Sequence, residues 1–216
     1  MHTSRRRAVL LLSAGALSAC AARVEGEEAP GAALTPSEIE GPFFPSNTQI
    51  ERDADLTRLA GRSERAAGAL IEVRGRVLDA NGRPLPGVVV ELWQANAAGR
   101  YAHERDAANT APLDPNFQGY AALRTGADGR FSALTIKPGG YLVPEMGQRR
   151  TPHLHWHVGQ GGDRLTTQSY FPGEPANESD FLIRAMGDPV RRLIMAAGAA
   201  GAEGAAGFDW DILLPG

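Results

Sequence analysis

The stretch Arg150-Thr-Pro-His-Leu-His-Trp-His157 carries three of the chain's five histidines, at every second position. Because successive side chains of a β-strand point to opposite faces, the imidazoles of His153, His155 and His157 would share one face of a strand. Imidazole is the commonest protein ligand for transition metals. The stretch therefore predicts a β-strand that presents a metal site, with a metal-free cluster of hydrogen-bonded histidines as the alternative.

Other segments of the chain are predicted strands, either from alternation of apolar and polar residues or, as in 88–93, from a short and largely apolar run. They are residues 71–77, 88–93, 119–125, 130–136, 138–143, 165–171 and 208–214. The turn signal Gly126-Ala-Asp-Gly129 predicts a hairpin between 119–125 and 130–136. Asp188, Pro189 and the apolar residues that follow them at helical spacing predict a helix over 188–197.

Many short strands joined by turns, in a chain with 26 glycines and 15 prolines, favour an all-β fold. We expect a single β-sandwich of mostly antiparallel strands, with a short C-terminal helix and long active-site loops. The net charge of −3 provides no broad basic surface of the kind that binds nucleic acid. No apolar run reaches the length of a membrane-spanning helix.

The N-terminus has the composition of an export signal. Arg5-Arg-Arg7 is followed by an apolar run that ends in small residues before Cys20. Ser4-Arg-Arg6 resembles the twin-arginine signal, which exports proteins already folded. Leu17-Ser-Ala-Cys20 resembles a bacterial lipoprotein signal, in which the cysteine is acylated, and an ordinary cleavage site is the alternative.

These features divide the chain into three predicted parts: an export signal over 1–20, a flexible tether over 21–34 and one folded domain over 35–216. We expect the protein to be exported, to the periplasm or to a membrane anchor at an acylated Cys20. Since Cys20 is the only cysteine, the folded domain has no internal disulfide.

Two tyrosines near the histidines in sequence are candidate oxygen ligands: Tyr101, in Gly99-Arg-Tyr-Ala-His103, and Tyr141, in Pro138-Gly-Gly-Tyr141. Carboxylates are sparse around the histidines and no thiolate is available. A phenolate is a hard oxygen donor, which suits ferric iron better than zinc or copper(I). Taken alone, each tyrosine is more simply explained as a core or sheet residue.

A set of motifs in fixed order resembles the intradiol ring-cleavage dioxygenases, which include the protocatechuate 3,4- and catechol 1,2-dioxygenases. The resemblance extends from about residue 39 to the end of the chain. The motifs are Gly41-Pro-Phe-Phe-Pro45, Gly75-Arg-Val-Leu-Asp-Ala-Asn-Gly82, Val90-Glu-Leu-Trp-Gln-Ala-Asn96, Gly99-Arg-Tyr-Ala-His103, Leu113-Asp-Pro-Asn-Phe117, Asp128-Gly-Arg-Phe131, Ile136-Lys-Pro-Gly-Gly-Tyr141, Pro152-His-Leu-His155 and Phe208-Asp-Trp-Asp-Ile212.

The resemblance implies a non-haem Fe(3+) ion held by two phenolates and two imidazoles. The implied ligands are Tyr101, Tyr141, His153 and His155. It also implies that Arg150 and Gln168 face the bound substrate, and that Tyr141 is the ligand that leaves when substrate binds and takes up one of its protons. His103 and His157 have no ligand role in the family pattern, so we expect them to be structural or to support the ligands.

The implied function is an iron-dependent dioxygenase that uses O2 to open catecholic rings between the two hydroxyl-bearing carbons, giving muconate-type diacids. Which catechol it takes is open, because Val143 stands where protocatechuate enzymes commonly have an aromatic residue; the oligomeric state is open as well. Two other readings are a non-enzymatic surface β-sandwich that binds a ligand, and a zinc hydrolase built on the three strand histidines.

Overall fold

Eleven β-strands and one α-helix are found in the residues that the computed structural model describes, namely 33–45, 51–160 and 163–215. The strands are β1 (Leu70–Asp79), β2 (Val89–Trp93), β3 (Tyr120–Arg124), β4 (Arg130–Ile136), β5 (Tyr141–Val143), β6 (Gln148–Arg150), β7 (His153–Gln160), β8 (Asp163–Tyr170), β9 (Ala196–Ala197), β10 (Ala206–Asp209) and β11 (Ile212–Leu214). The helix, α1, is Phe181–Met186. Short 3-10 helices occur at Glu104–Asp106, Pro144–Met146, Pro175–Glu178, Asp188–Leu193 and Ala202–Gly204.

The strands form two main sheets and a separate hairpin. In the first sheet β1 is central: it pairs antiparallel with β4 and parallel with β10 and β11, and β9 pairs with β10. The second sheet has the order β3-β2-β7-β8, with antiparallel pairing throughout. Among the residues that the structure describes, strands β5 and β6 pair only with each other. The predicted β-sandwich of mostly antiparallel strands is confirmed.

The apolar core lies between the two sheets. The first sheet contributes side chains such as Val73 and Phe131, and the second contributes Trp156 among others. The Trp156 ring lies 5.7 Å from that of Phe131 and 5.5 Å from that of Trp210. Since Trp156 is fully buried in this core, the residues that alternate with it on β7 must point to the outer face of the second sheet.

The hairpin predicted between 119–125 and 130–136 is wrong, although both strands form. Strand β3 pairs with β2 in the second sheet, whereas β4 pairs with β1 in the first. The turn at 126–129 therefore carries the chain from one sheet to the other, closed by a hydrogen bond from the Gly126 N–H to the Arg130 carbonyl. Two amphipathic strands that cover the same core from opposite sides have the same alternation as a hairpin, so the pattern could not separate them.

The helix predicted over 188–197 forms at the predicted start, but it is shorter than expected and is a 3-10 helix. A 3-10 helix occupies Asp188–Leu193, and the chain then becomes extended because the Met195 N–H donates to the Tyr170 carbonyl. The α-helix lies one segment earlier, at α1, where the Asp180 carboxylate accepts from the Leu182 and Ile183 N–H groups. An acidic residue directly before three apolar ones is the N-terminal signal that would have located it.

The predicted export signal and most of the predicted tether, residues 1–32, lie outside the described residues. Within the part of the chain that is described, no helix has both the length and the apolar character needed to cross a lipid bilayer.

The chain passes unusually close to β1 between β10 and β11. The Trp210 N–H donates to the Arg74 carbonyl at 2.8 Å, and the Asp211 carboxylate accepts the backbone N–H of Arg76 at 3.0 Å. Gly75 lies between these two contacts, and a Cβ there would overlap the Trp210 carbonyl oxygen. The missing side chain of Gly75 therefore permits β10 and β11 to line one edge of β1.

We expect Gly75→Ala to lower the free energy of unfolding by about 3 kcal/mol or more, because backbone would have to move to relieve the overlap. Chemical denaturation measures the loss. Gly126→Ala is the matched control: its Cβ would meet only the end of the Asp128 side chain at 3.2 Å, so little change is expected. Equal stability of the two variants would contradict this account of β1.

Candidate metal centre

The outer face of the second sheet carries all three histidines of β7. His153, His155 and His157 are 2%, 2% and 1% exposed. Strand register places Trp93 of β2 and Gln168 of β8 on either side of His155. The Trp93 indole stacks on the His155 ring, with centroids 4.9 Å apart and planes 15° apart. A face that would otherwise meet solvent is therefore buried, so other segments must cover it.

One cover is the N-terminal strap, residues 33–45. It runs along β8, where the Glu38 N–H donates to the Thr166 carbonyl and the Gln168 amide donates to the Ile39 carbonyl, both at 2.9 Å. Further along the strap, Phe43 stacks on the ring of Tyr101 at 4.4 Å. The strap thus holds an aromatic lid over one of the two candidate tyrosines.

The loops that carry the two tyrosines are packed against each other through glycines. The Gly139 N–H donates to the Asn96 carbonyl at 2.9 Å, which joins the loop before Tyr141 to the loop before Tyr101. Gly99 has a φ of +76°, and a Cβ there would lie 2.5 Å from the Gly140 carbonyl oxygen. Because only glycine permits this approach, the Gly-rich motifs place both phenols in one region.

The donor atoms of the predicted ligands converge. The Nε2 atoms of His153 and His155 are 3.1 Å apart, and the His155 Nε2 lies 3.0 Å from the Tyr101 Oη. The Tyr141 ring lies 5.6 Å from that of Tyr101 and 5.6 Å from that of His153. The structure thus brings together the four side chains that the sequence analysis selected.

The protonation of these groups follows from their burial. Burial raises the pKa of the Tyr101 and Tyr141 phenols, in Tyr101 with a further contribution from the neighbouring Tyr141. Burial lowers the pKa of His153 and His155, helped by the Arg150 charge in His153 and by His153 in His155. The four candidate ligands, two phenols and two imidazoles, therefore favour their uncharged forms.

The donor set fits a hard trivalent cation. His153 has its Nδ1 2.6 Å from the Thr151 carbonyl, so Nδ1 carries the proton and the Nε2 lone pair faces the other donors. Among residues 33–45, 51–160 and 163–215, no three His, Cys, Asp or Glu side chains are grouped to hold a metal. A metal ion bound here would depend on phenolic oxygens, which as phenolates favour ferric iron over softer ions.

The two other histidines among the described residues are directed elsewhere. His157 lies with Nε2 3.0 Å from a Glu40 oxygen and Nδ1 3.5 Å from a Glu91 oxygen. His103 accepts the Arg105 N–H and so caps the 3-10 helix that follows it. The zinc-hydrolase reading required three imidazoles at one point, and His157 does not join the other two.

Arg150 lies beside this cluster, at the end of β6 where it pairs with Tyr141 of β5. Its side chain is 3% exposed. The guanidinium donates through Nη2 to the side-chain Oε1 of Gln168 at 2.7 Å and through Nε to the Asp180 carboxylate at 2.8 Å. Arg150 and Gln168 are therefore in contact with each other, and their expected roles toward a substrate stay predictions.

Three residues of this site were missed by the sequence analysis: Trp93, Phe43 and Asp180. Trp93 and Phe43 stand inside motifs that the analysis quoted, but an apolar ring gives no sign of whether it lines a site or a core. Asp180 carried a recognisable signal, because it is followed by the apolar run that forms α1.

Comparisons with known proteins show the family of the chain. A family model described as "Dioxygenase" matches residues 39–216. The protocatechuate 3,4-dioxygenase beta chain of Burkholderia cepacia is 42% identical over 170 residues, which are 76% of this chain and 72% of that one. Catechol 1,2-dioxygenase 1 of Acinetobacter lwoffii is 32% identical over 160 residues, which are 68% of this chain and 49% of that enzyme.

A solved structure has the same architecture. It is the dioxygenase domain of a dioxygenase carbohydrate-binding protein fusion from Streptomyces sp. SirexAA-E, with 32% sequence identity and a TM-score of 0.63. The match covers 85% of this chain and 99% of that chain. By contrast, the chain spans about half the length of the catechol 1,2-dioxygenase that it matches.

Proposed function

Because the chain belongs to the intradiol ring-cleavage dioxygenases, a family of oxidoreductases, we propose that it opens the ring of a catecholic substrate with O2. The products would be muconate-type diacids, from cleavage between the two hydroxyl-bearing carbons. The observation that carries this proposal is that the His155 Nε2 lies 3.1 Å from the His153 Nε2 and 3.0 Å from the Tyr101 Oη, with the Tyr141 ring beside them.

Non-haem ferric iron is the proposed cofactor, with Tyr101, Tyr141, His153 and His155 as its ligands. The donor chemistry supports it: two imidazoles with low pKa values and two phenols share a buried point. When bound, ferric iron would supply the Lewis acidity that favours loss of both catechol protons and draws electron density from the ring.

Of the two phenols, Tyr141 is the better candidate to release its position and accept a substrate proton at Oη. It is half-buried, whereas Tyr101 is 4% exposed and stacked under Phe43. Tyr141 also lies on β5, which pairs only with the short strand β6. Because β5 is three residues long and has one partner strand among the described residues, we expect Tyr141 to move away from the site at a lower free-energy cost than the more enclosed Tyr101.

Arg150 would stabilise the negative charge that builds on the ring as it takes ketone character. A fixed cation in a buried site acts strongly on charge that develops during a reaction, because little solvent screens it. Gln168 would hold the Arg150 guanidinium in place. Its side-chain Oε1 accepts a hydrogen bond from Arg150, and its side-chain Nε2 donates one to the Ile39 carbonyl of the strap.

Replacement of a proposed ligand tests the assignment. We expect Tyr101→Phe or His155→Ala to reduce iron content and to lower the rate of ring opening by at least about 100-fold. Replacement of residues that only hydrogen-bond to metal ligands already lowers metal affinity or activity by about 10–100-fold. Metal analysis, the reddish tyrosinate-to-iron absorption band and a screen of substituted catechols provide the measurements. Tyr120→Phe, which removes a hydroxyl bonded to Glu91 instead, is the control. Full iron and activity in Tyr101→Phe would refute the ligand set.

Iron removal should lower thermal stability. At an iron concentration about 1,000 times the dissociation constant, binding stabilises the folded state by about 4 kcal/mol, which corresponds to a melting-temperature shift of roughly 8–16 °C in a domain of this size. Scanning calorimetry of the iron-free chain with and without ferric citrate measures the shift. His155→Ala should show almost none of it, and an equal shift in that variant would argue against binding at this site.

We further propose that the chain is exported by the twin-arginine route and anchored to a membrane through acylated Cys20. The support is the order of basic, apolar and small residues over 1–20. In bacterial cells, the full chain should incorporate a labelled fatty acid and sediment with membranes, and Cys20→Ser should lose both properties. Replacement of Arg5 and Arg6 by lysine should retain the protein in the cytoplasm. Unlabelled, soluble periplasmic protein would instead indicate an ordinary cleaved signal.

A further inference from the structure

A buried carboxylate behind Arg150 has four hydrogen bonds and no part in the family roles set out above. The Asp180 side chain is 0% exposed. Its Oδ2 accepts from the Arg150 Nε at 2.8 Å and from the Thr151 N–H at 2.9 Å. Its Oδ1 accepts from the Leu182 and Ile183 N–H groups, at 3.0 and 3.2 Å. Each oxygen thus has two donors, which compensates for the burial of the charge.

The contacts with Asp180 and Gln168 fix the plane of the Arg150 guanidinium. Nε is held by Asp180 and Nη2 by Gln168 at 2.7 Å, while the Phe181 ring lies 5.6 Å from the guanidinium carbon. Arginine is planar, so two bonds to different nitrogens set the direction of the third, Nη1. None of these contacts uses Nη1, which leaves it to face outward from the Asp180 side.

The same carboxylate is linked to a proposed iron ligand through Thr151. Asp180 accepts the Thr151 N–H, and the Thr151 carbonyl accepts the Nδ1 proton of His153 at 2.6 Å. A hydrogen bond to the second ring nitrogen sets both the tautomer and the orientation of an imidazole ligand. One residue at the start of α1 therefore fixes the backbone that orients His153 as well as the side chain of Arg150.

We propose that Asp180 is a positioning residue for ring opening: its carboxylate aims the Arg150 guanidinium at the substrate and, through Thr151, orients His153. This inference rests on the proposed function, because it takes Arg150 as the substrate-facing cation and His153 as a ligand. It names a residue that acts through others and does not itself touch the substrate.

A purely structural role is the competing explanation, and an arginine–aspartate pair on the first sheet is the comparison. Arg76 and Asp211 are joined at 2.6 Å on the first sheet, and Asp211 also accepts the Arg76 N–H. Their side chains are 42% and 36% exposed, against 3% and 0% for Arg150 and Asp180. Burial of an ion pair is weak support for stability, since apolar residues serve as well or better. The burial of Asp180 with Arg150 is better explained by a role in orienting the Arg150 guanidinium.

The test compares Asp180→Asn with Asp211→Asn, which makes the same chemical change in the pair remote from the site. Asparagine can still cap α1 through its side-chain oxygen, so the helix start is retained. We expect Asp180→Asn to lower kcat by about 10–100-fold with a much smaller change in KM. The reason is that Arg150 would stabilise negative charge that develops on the ring in the transition state rather than in the bound substrate. Asp211→Asn should leave both constants and the absorption band unchanged.

Two further readings separate positioning from folding. The iron absorption band of Asp180→Asn should shift and its iron should be lost faster to a chelator, because His153 loses its fixed orientation. In an Arg150→Gln background, Asp180→Asn should cause a smaller additional loss of kcat than it does in the unaltered chain, since the part that acts through Arg150 is already lost. If Asp180→Asn does not fold, Asp180→Glu, which keeps the charge but displaces it, is expected to give a reduced kcat and a shifted band in a folded protein.

The inference is overturned if a folded Asp180→Asn or Asp180→Glu protein keeps wild-type kcat and spectrum, or if the losses from Asp180→Asn and Arg150→Gln simply multiply. Failure of the proposed function has a different result: the unaltered chain would bind iron without opening catechols, or would not bind iron. In the first of those cases the shift of the band and the faster iron loss still decide whether Asp180 orients His153.

Discussion

The strict alternation along β7 is the constraint on which the rest of the molecule depends. One set of side chains, including Trp156, fills the core between the sheets, so His153 and His155 must face the opposite side. Imidazoles on an outer face would be hydrated and mobile unless something buried them. The second, smaller apolar cluster, built on Trp93, Tyr101 and Tyr120 with Phe43 and Phe44 against it, meets that need. The convergence of these histidines with Tyr101 is thus a consequence of building a second core on the outside of a sandwich.

Electrostatics then decides what that second core can hold. Burial raises the pKa of both phenols and lowers the pKa of both imidazoles, so these four side chains favour their uncharged forms. The fixed charges stand at its edge: Arg150 is neutralised by Asp180. His157, on the other side, lies between the carboxylates of Glu40 and Glu91. A cation with high charge and a preference for oxygen is the ligand that such surroundings accommodate.

The chemistry of the site could be predicted from the sequence, but its supports could not. The two-residue spacing of the histidines along β7 can be read directly from the sequence. The tyrosine motifs are recognisable by their glycines, which are needed because the Gly140 carbonyl lies close to Gly99. Pairing of β4 with β1 rather than β3 depends on which side of the core each strand covers, and the alternation is the same in both cases. Asp180 was recognisable as a helix cap, but its contact with Arg150 spans 30 residues.

The N-terminal strap has a consequence for how the protein is made. Its hydrogen bonds reach residues of β8 that lie far along the chain, 131 positions from Pro36 to Thr167 and 129 from Ile39 to Gln168. The strap must therefore wait until β8 has been synthesised before these hydrogen bonds can form. Contacts so distant in sequence form late, because the entropic cost of closing the loop precedes the energy gained from the contacts. The stacking of Phe43 on Tyr101, further along the strap, is consequently a late event in folding, after β8 is in place.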